Sequence, residues 1–393
     1  MEHFVGLDVS VRETSLCVVD HDGKIVKEAR VPTEPEAIVA LLGNGNFTPK
    51  RVGLEAGPMS QWLYAALAEA DLPVICVEAQ HMRSALSAQR NKTDRNDARG
   101  IAQMMRVGLY RPVHIRTPAS QERRLLLTAR KLLQAKMLDL EAEVRGTLKN
   151  FGLRVGVVGK GGFRQRVREL IEGNEALDMV VTALLEAHAA VRTQYNLLHQ
   201  RLLDTVRDDP LCRRLMTTPG VGPVIALTFQ ATVDVPERFP KSRLVGAHFG
   251  LTPKRYASGE TDHSGRISKC GDEMMRTALF EGAQALLVCT KKWSGLKAWG
   301  MVIARRRGLK RAIVAVARKL AVILHRMWLD GTEFRSIFGG SQTADYRTIR
   351  LARLYRGYGL RCDRCRIIAM SFAVVAMALP LYVPRCERWW RSG

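Results

Sequence analysis

The sequence predicts an α/β domain at the amino end, a pair of long helices after it, and a mainly α-helical domain towards the carboxyl end. Three observations predict this order. Short apolar segments alternate with helical segments up to Thr117. Apolar residues then recur at steps of three and four over two long stretches, and the remainder has helical patterns separated by glycine and proline turns.

Composition and charge limit the class of protein. At 393 residues, with 47% hydrophobic and 25% charged residues, the chain has a globular composition and room for two or three domains. The formal net charge of +23 makes the surface repel itself. A polyanionic partner is the economical explanation, and nucleic acid is the commonest one. From charge alone, two alternatives stay open: the partner is a membrane surface, or the protein is basic for another reason.

The first domain is predicted to begin with three antiparallel strands. Asp8 lies near the end of the first strand, residues 20–23 have the composition of a tight hairpin turn, and Glu55 ends the fourth strand. The predicted strands cover residues 4–9, 14–19, 24–31, 51–56 and 74–77, and the predicted helices cover residues 35–42, 60–70 and 80–87. This is the element order of a ribonuclease-H-like domain, which we assign to residues 1–117.

Two further acids begin the next predicted helix. Asp94 and Asp97 are three residues apart, so their side chains leave the helix from one face. Carboxylates held that close repel each other unless a cation lies between them, and a divalent metal is the usual one. The alternative is a solvated helix start, in which acids are favoured near the positive end of the helix dipole and Arg95 and Arg99 are their partners.

The four acids named so far have places that converge in a ribonuclease-H-like domain, namely two strand ends and a late helix. We therefore expect Asp8, Glu55, Asp94 and Asp97 to form one metal site. Lys92, just before the helix, is expected to contact nucleic acid beside them. Taken singly, an acid at the end of a strand has the alternative of an ordinary solvated carboxylate.

Two long amphipathic helices are predicted for residues 118–206. Thr117 and Pro118 are typical of a cap and a first helical residue. Two stretches of apolar residues at helical spacing follow, separated by a glycine-rich break between Gly152 and Gly162 that we interpret as a hinge. The pattern predicts an antiparallel helical hairpin or a dimerising coiled coil.

The next domain, predicted for residues 207–338, begins with a turn of sequence Thr-Pro-Gly-Val-Gly-Pro at residues 218–223. Gly220 and Gly222 between two helices are typical of a helix-hairpin-helix, whose exposed backbone N–H groups hold a DNA phosphate without reading bases. A plain turn between helices is the alternative.

Ser258 is the candidate nucleophile of this domain. It is followed by Gly259 in a predicted loop, with basic residues on both sides. Tyr256 is a rival nucleophile, and a simple turn serine is the ordinary interpretation of a Ser-Gly pair. A phosphodiester attacked by Ser258 has oxygens that take no part in the reaction. The basic residues expected to hold these oxygens are Lys254, Arg255, Arg266 and Lys269.

A strongly basic stretch follows at residues 291–326, which hold eleven Lys and Arg residues and no acid. Charge of a single sign over this length predicts a surface that binds along the phosphates of a nucleic acid. The alternative is a solvated basic face. The residues expected to contact phosphates lie in a predicted basic loop and are Arg305, Arg306, Lys310 and Arg311.

The last segment, residues 339–393, is a basic and apolar extension to which we assign no role. Cys362 and Cys365 have metal-ligand spacing but lack a second pair, so we expect no zinc site. The apolar run 367–383 is short for a membrane span and contains Pro380, and the first residues lack the features of a secretion signal. We therefore expect a cytoplasmic protein with no membrane partner.

The acidic motifs resemble those of the insertion-sequence 110 family of transposases. Asp8, Glu55 within Leu-Glu-Ala-Gly, and Asp94 and Asp97 within Asn-Lys-Thr-Asp-x-x-Asp-Ala-Arg resemble the RuvC-like DEDD domain of that family. Residues 219–222, residues 250–259 and the following Lys-x-Gly at residues 269–271 resemble its C-terminal transposase domain. Both halves occur in the family's order, and the extension from residue 339 has no counterpart that we identify.

The resemblance implies a site-specific DNA recombinase with a composite active site. In the family the four acids bind Mg²⁺, with two ions expected per site, and the serine that matches Ser258 attacks a DNA phosphate to give a phosphoserine intermediate. The protein acts as a homo-oligomer, a dimer or tetramer, whose acids and serine come from different protomers. A noncoding RNA encoded by the element, the bridge RNA, pairs with donor and target DNA and chooses the sites. Such a protein works in the cytoplasm of a bacterium or archaeon, at the nucleoid.

Two other functions remain open from the residues alone. A metal-dependent, structure-selective endonuclease of the Holliday-junction type would use water as its nucleophile, and Ser258 would only position DNA. A non-catalytic nucleic-acid-binding protein would use the same acids structurally.

Overall fold

The computed structural model describes residues 2–45, 47–87, 92–159 and 161–336. The chain forms two compact units, one of residues 1–117 and one that begins at Pro118. The extension predicted for residues 339–393, with Cys362 and Cys365, lies outside the described residues. No helix within the described ranges is long and apolar enough to cross a membrane.

The first unit is built on a five-stranded sheet with the order β3-β2-β1-β4-β5. Its strands are β1 His3–Val9, β2 Glu13–Val19, β3 Ile25–Pro32, β4 Pro49–Glu55 and β5 Val74–Val77. β1, β2 and β3 pair antiparallel, whereas β4 pairs parallel with both β1 and β5. The element order predicted for a ribonuclease-H-like domain is therefore confirmed.

Helices cover both faces of this sheet. They are α1 Pro35–Asn44, α2 Ser60–Glu69, α3 Ala79–Leu86 and α4 Asp94–Val107. Successive strand residues point to opposite faces, so Leu7 packs with Ile38 of α1 and Leu63 of α2, while Phe4 packs with Met82 of α3 and Ile101 of α4. The first unit is a three-layer α/β/α sandwich around these two apolar clusters.

Two glycines let α4 lie directly on the sheet. A Cβ atom on Gly6 of β1 would come 2.2 Å from the carbonyl oxygen of Ala98 and 2.4 Å from the amide nitrogen of Ala102. A Cβ atom on Gly53 of β4 would come 2.6 Å from the Met105 side chain. Such separations are sterically forbidden, so any larger residue at these positions would push the helix away from the sheet.

The second unit begins with two long helices that pack against each other, α5 Pro118–Asn150 and α7 Glu175–Asp208. They run antiparallel, because Arg130 donates a hydrogen bond to Tyr195 (2.6 Å) while Glu141, further along α5, meets His188, earlier in α7 (3.2 Å). A short helix that the sequence did not predict, α6 Phe163–Ile171, lies between them in the chain and follows the glycine-rich break.

The remainder of the second unit is mainly helical. Its helices are α8 Pro210–Met216, α9 Pro223–Val233, α10 Arg243–His248, α11 Glu273–Gln284, α12 Gly295–Arg307 and α13 Leu309–Asp330, with a 3₁₀ turn at Pro236–Arg238 and a π-helical turn at Ala285–Cys289. A single apolar core joins α9, α11 and α13 through buried residues such as Phe229, Leu279 and Leu320. One antiparallel hairpin, β6 Pro253–Ser258 and β7 Thr261–Ile267, extends from these helices with nearly all of its residues exposed.

Two stretches that the sequence predicts as loops have regular secondary structure instead. Ser258 lies on strand β6 and not in an irregular loop. The stretch predicted as a basic loop is helical on both sides of Gly308, since Arg305 and Arg306 are in the last turn of α12 and α13 begins at Leu309. Gly308 has a φ of +85°, a left-handed backbone that ends one helix and starts the next without an intervening loop.

Candidate active site

Asp8 and Glu55 are brought together by the register of two parallel strands. Leu7 of β1 lies opposite Leu54 of β4, so the next residues, Asp8 and Glu55, are neighbours at the carboxyl edge of the sheet. Both leucines are in the apolar cluster beneath α1 and α2. Alternation of side chains then directs both acids to the opposite face, where α4 lies.

Asp94 and Asp97 are placed by the start of α4. Thr93 has an extended backbone and its side chain accepts a hydrogen bond from the amide of Asn96, which fixes the first helical residue as Asp94. Asp94 and Asp97 therefore both lie in the first turn, where the helix dipole favours negative charge. Asp94 is 67% exposed, whereas Asp97 is 17% exposed and faces the protein.

The four carboxylates influence one another's charge. Burial, together with the negative charges of Asp94, Asp97 and Glu55, raises the pKa of Asp8 to about 6. Burial and the charge of Asp97 also raise the pKa of Glu55. The acids that the sequence placed in one site thus lie close enough to repel each other, which is the electrostatic condition that a bound cation relieves.

Basic residues compensate part of this negative charge. Arg30 of β3 approaches Asp94 at 3.9 Å, and Lys92 approaches Asp97 at 4.0 Å. Sequence reasoning missed Arg30, because it lies on a distant strand with nothing local to mark it. Lys92 is 85% exposed, so it lies beside the acids and open to solvent.

Arg95 and Arg99 do not pair with the acids of their own helix, as the alternative interpretation of this segment required. Both bind Glu28 of β3, through hydrogen bonds from Arg95 Nε (2.9 Å) and Arg99 Nη2 (2.9 Å). The two guanidinium groups lower the pKa of Glu28 to about 2. Glu28 was also missed, although its position opposite Cys17 in the sheet register directs it to the face that α4 covers.

The donor set suits a hard divalent cation, because carboxylate oxygens are what Mg²⁺ and Mn²⁺ prefer. Burial raises the pKa of Asp8, and so does repulsion by the neighbouring acids, which such an ion would offset. Nevertheless, within the described ranges no three His, Cys, Asp or Glu side chains lie close enough together to hold one ion. The acids are therefore grouped without forming a ready-made coordination cage.

Ser258 occupies the tip of the exposed hairpin in the second unit. It pairs with Thr261 across a two-residue turn whose first residue, Gly259, has a φ of +56°. Tyr256 is opposite His263, so by strand alternation both share a face with Ser258. Tyr256 is 66% exposed, which keeps it a rival nucleophile on geometric grounds.

The basic residues around Ser258 differ in their surroundings. Arg255 is bound to Asp262 on β7 by two hydrogen bonds of 2.9 and 2.8 Å, so its guanidinium already has a carboxylate partner. Lys254 and Arg266 are exposed on the hairpin. Lys269, just after it, is exposed and has a left-handed backbone with a φ of +56°, and its amide donates to the carbonyl of Gly250.

The turn between α8 and α9 contains both predicted glycines. Gly220 has a φ of +86°, and a Cβ atom there would come 2.4 Å from the carbonyl oxygen of Gly282 on α11. Packing alone therefore explains glycine at this position. Gly222 precedes the first residue of α9 and has open space around it, so packing does not explain its lack of a side chain.

The α12–α13 pair presents the predicted basic surface. The residues expected to contact phosphates are all exposed: Arg305, Arg306, Lys310 and Arg311. Of the eleven basic residues between 291 and 326, only Lys297 is buried. A surface of this kind attracts a polyanion over its whole length.

A ribonuclease-H-like sheet with acids grouped at the carboxyl ends of its strands is the arrangement of metal-dependent nucleases and strand transferases. Comparison with known proteins agrees. Residues 5–152 match the family model of DEDD transposases of the IS110 type, and residues 212–297 match that of the transposase IS116/IS110/IS902 family. The chain belongs to this IS110 family of transposases.

Two bacterial transposases are similar to this chain and support its assignment to the family. The transposase for insertion sequence element IS1111A of Coxiella burnetii is 31% identical, over 81% of this chain and 88% of the relative. A putative transposase of Sinorhizobium fredii is 30% identical over 65% of this chain and 67% of the relative. The structure of Thermus thermophilus RuvC aligns with 28% of this chain and 99% of that chain, at 18% identity and a TM-score of 0.23.

Membership of the family makes the chain an enzyme that acts on DNA. The DEDD domain that matches its first part implies a divalent metal. The resemblance found in the sequence is thus confirmed at the level of the family, its acidic domain and its transposase domain.

Proposed function

We propose that this transposase cuts and rejoins donor and target DNA through a phosphoserine intermediate formed by Ser258, at a site completed by Asp8, Glu55, Asp94 and Asp97. The observation that carries the proposal is the grouping of the four acids at the carboxyl edge of the sheet and the start of α4. Burial there, together with the charges of the other three acids, raises the pKa of Asp8 to about 6. A group of carboxylates kept together at such a cost to stability is typical of a functional site.

The four acids would hold Mg²⁺, in two ions for each composite site. When bound, the ions supply positive charge to the scissile phosphate and to the oxygen that leaves it. The chain's own contribution is to orient the acids. Asp8 and Glu55 are fixed by strand pairing, and Asp97 is fixed by the first turn of α4.

Ser258 would attack the phosphorus atom with its Oγ. The bond from phosphorus to the sugar oxygen breaks as the bond to Oγ forms, which gives a phosphoserine ester. The Oγ proton passes to water, and the departing sugar oxygen takes a proton from water and leaves as a hydroxyl group. The ester conserves the free energy of the broken linkage, so a second strand end can displace the serine and reseal DNA without ATP. The position of Ser258 at the tip of an exposed hairpin supports this role, because a DNA backbone can reach it without entering a cavity.

Basic residues would hold the non-reacting phosphate oxygens near Ser258. Lys254, Arg266 and Lys269 are the exposed candidates, and Arg255 would have to exchange Asp262 for a phosphate. Lys92 would contact DNA beside the acids, and backbone N–H groups at Gly220 and Gly222 would bind a phosphate as in a helix-hairpin-helix. The surface of Arg305, Arg306, Lys310 and Arg311 would follow the nucleic-acid backbone.

The acids and the serine would come from different protomers of a homo-oligomer, a dimer or tetramer. Apolar side chains left exposed on the two long helices support association through them, for example Leu132 (56%) of α5 and Met179 (73%) and Leu197 (61%) of α7. An element-encoded bridge RNA would select the sites, with the protein at work on the bacterial or archaeal nucleoid in the cytoplasm. A monomeric mass by light scattering in the presence of DNA and RNA would contradict the oligomer.

The decisive experiment traps protein on cleaved DNA. The wild-type protein with a nicked or pre-cleaved substrate and Mg²⁺ is expected to give a covalent adduct stable to denaturant, and Ser258→Ala and Asp94→Asn are both expected to abolish it. Ser264→Ala, on the same exposed hairpin, is the matched control and should retain the adduct. An adduct that persists in Ser258→Ala but disappears in Tyr256→Phe would assign the nucleophile to the tyrosine.

The same experiment tests the endonuclease alternative. Strand cleavage that continues in Ser258→Ala, without any adduct, would mean that water is the nucleophile. For the RNA, recombination between matched sites by protein treated with ribonuclease would rule out a guide.

A further inference from the structure

A small cavity lies between α12, α13 and the segment that follows α13. Its volume is about 330 Å³, which is at the lower end of the range for small-ligand sites. Leu296 and Trp299 line it from α12, Ile323 lines it from α13, and Phe334 lines it from the segment 331–336, here called the closing segment. The closing segment is held in place, because the amide of Phe334 donates a 3.0 Å hydrogen bond to the hydroxyl of Thr217.

Trp299 is the unusual member of this lining. Its side chain is 43% exposed although it borders an apolar cavity. By contrast, Trp328 on the neighbouring helix α13 packs against the core. Its ring centroid lies 6.3 Å from that of Phe229. An exposed indole ring that also borders an apolar cavity offers a surface on which a flat ligand can stack.

Two cations border the same cavity. Lys319 of α13 and Arg335 of the closing segment line it and are both exposed. Neither has a carboxylate partner within salt-bridge distance among the residues that the structure describes. They lie in or beside the stretch 291–326, which contains no acid at all. The preferred ligand is therefore flat and apolar on one side and negatively charged on the other.

We propose that this cavity binds one unpaired nucleotide, with its base stacked on Trp299 and its phosphates against Lys319 and Arg335. A base within a duplex already has neighbours on both faces and cannot enter a cavity of this size, whereas an unstacked base can. The inference rests on the proposed action on nucleic acid but not on the phosphoserine step. It specifies that the α12–α13 surface receives single-stranded nucleic acid, which could be a displaced DNA strand or an unpaired part of an RNA.

The test uses the full chain and short single strands that carry one 2-aminopurine, a base analogue whose fluorescence falls when it stacks. Wild-type protein is expected to quench it and to bind the strand. Trp299→Ala should abolish the quenching and weaken binding about tenfold, the usual effect of losing one base–aromatic stack. Trp299→Phe, which keeps an aromatic face, should restore most of both.

Matched controls separate stacking from general loss of charge or fold. Trp62→Ala removes a tryptophan that is 49% exposed on α2 and should change neither signal. A duplex of the same sequence should bind wild type and Trp299→Ala equally. Lys319→Gln together with Arg335→Gln should weaken single-strand binding and make it less dependent on salt.

Parallel titrations with single-stranded DNA and single-stranded RNA show which of the two nucleic acids supplies the bound nucleotide. Unchanged quenching and affinity in Trp299→Ala would overturn the inference, and so would an equal loss of duplex binding. Ser258→Ala is expected to bind the single strand normally. Failure of the phosphoserine proposal, seen as absence of an adduct, is therefore distinguishable from failure of the nucleotide site.

Discussion

Glu28 on β3 accepts a 2.9 Å hydrogen bond from Nη2 of Arg99 on α4, and this contact ties the edge of the sheet to the helix that carries Asp94 and Asp97. Arg95 and Arg99 are four residues apart and share one side of α4, whereas the two acids are three apart and share the adjacent side. Holding the arginine side against β3 fixes the rotation of the helix about its axis. The acids then point towards Asp8.

Replacing Glu28 by glutamine is expected to destabilise the first unit. The side chain of Glu28 is 15% exposed, so the change leaves two guanidinium groups with a weaker acceptor, but both arginines reach solvent. We expect a loss of about 1 kcal/mol in the free energy of unfolding, well below the cost of breaking a fully buried pair. Urea unfolding at neutral pH measures it. Glu2→Gln, which breaks an exposed carboxylate–lysine pair with Lys50, is the control and should have no measurable effect.

The same contact predicts a dependence on pH. The two arginines hold the pKa of Glu28 at about 2, below its ordinary value of 4.5. A lowered pKa means that the stabilisation is fully present above 4.5 and is lost as pH falls towards 2. The difference in stability between wild type and Glu28→Gln should therefore shrink over that interval. A difference that stays constant down to pH 2 would show that charge on Glu28 is not what stabilises the contact.

Gly6→Ala is expected to disturb the position of α4 on the sheet. The added Cβ would lie 2.2 Å from the Ala98 carbonyl oxygen and 2.4 Å from the Ala102 amide, both backbone atoms that cannot turn aside. We expect a loss of about 2–3 kcal/mol, as for other overpacked positions, together with reduced DNA cleavage. Gly43→Ala is the control, since open space surrounds Gly43 and alanine favours its helix. Equal stability of the two variants would contradict the close approach of α4.

Asp8→Asn is expected to stabilise the metal-free protein at pH 8. Folding raises the pKa of Asp8 from 3.8 to about 6, so the folded state binds its proton more tightly than the unfolded state does. Stability therefore falls as pH rises from 3.8 through 6, and the charged form costs about 3 kcal/mol above that interval. The asparagine variant has no charge at this position, so it lacks this destabilisation.

The measurement for Asp8 is urea unfolding with a chelator at pH 4 and pH 8. The variant should be more stable than wild type at pH 8 and nearly equal to it at pH 4. Asp22→Asn, an acid with a 75% exposed side chain in the β2–β3 turn, should give no such difference. Wild-type stability should rise when Mg²⁺ or Mn²⁺ is added at pH 8, and the variant should respond less. A variant less stable than wild type at pH 8 would contradict the crowding of the acids.

The sequence was sufficient to predict the fold of the first unit because its signals are local. Alternation of apolar residues marks each strand, and Asp8 and Glu55 stand at the ends of two predicted strands. The sequence predicts Asp94 and Asp97 at the start of a helix, and α4 begins at Asp94. The strand and helix signals depend on residues near one another in the chain. The pairing of β1 with β4, which makes Asp8 and Glu55 neighbours, joins distant residues and was expected from the order of the elements.

The features that the sequence did not predict lack a local signal, and one of them depends on residues far apart in the chain. Glu28 and Arg99 are 71 positions apart, and neither has a local pattern that distinguishes it from a solvated residue. The hairpin that carries Ser258 was taken for a loop, because its strands are exposed on both faces and lack the apolar alternation that marks a half-buried strand. The partner of Arg255 lies across that hairpin, so it too was invisible to a search for local spacing.

Asp262 competes with phosphate for Arg255. Its carboxylate accepts both hydrogen bonds from the guanidinium, so Arg255 can bind DNA only by giving up that pair. Asp262→Asn removes the competitor and a repulsive charge at once. We expect tighter DNA binding and a salt dependence steeper by about one phosphate contact. Fluorescence anisotropy over a series of salt concentrations measures both. Asp139→Asn, which removes the same charge from a pair with Lys136 on α5, controls for net charge alone. If both variants shift the salt dependence equally, Arg255 contributes only to the overall field and makes no direct contact with a phosphate.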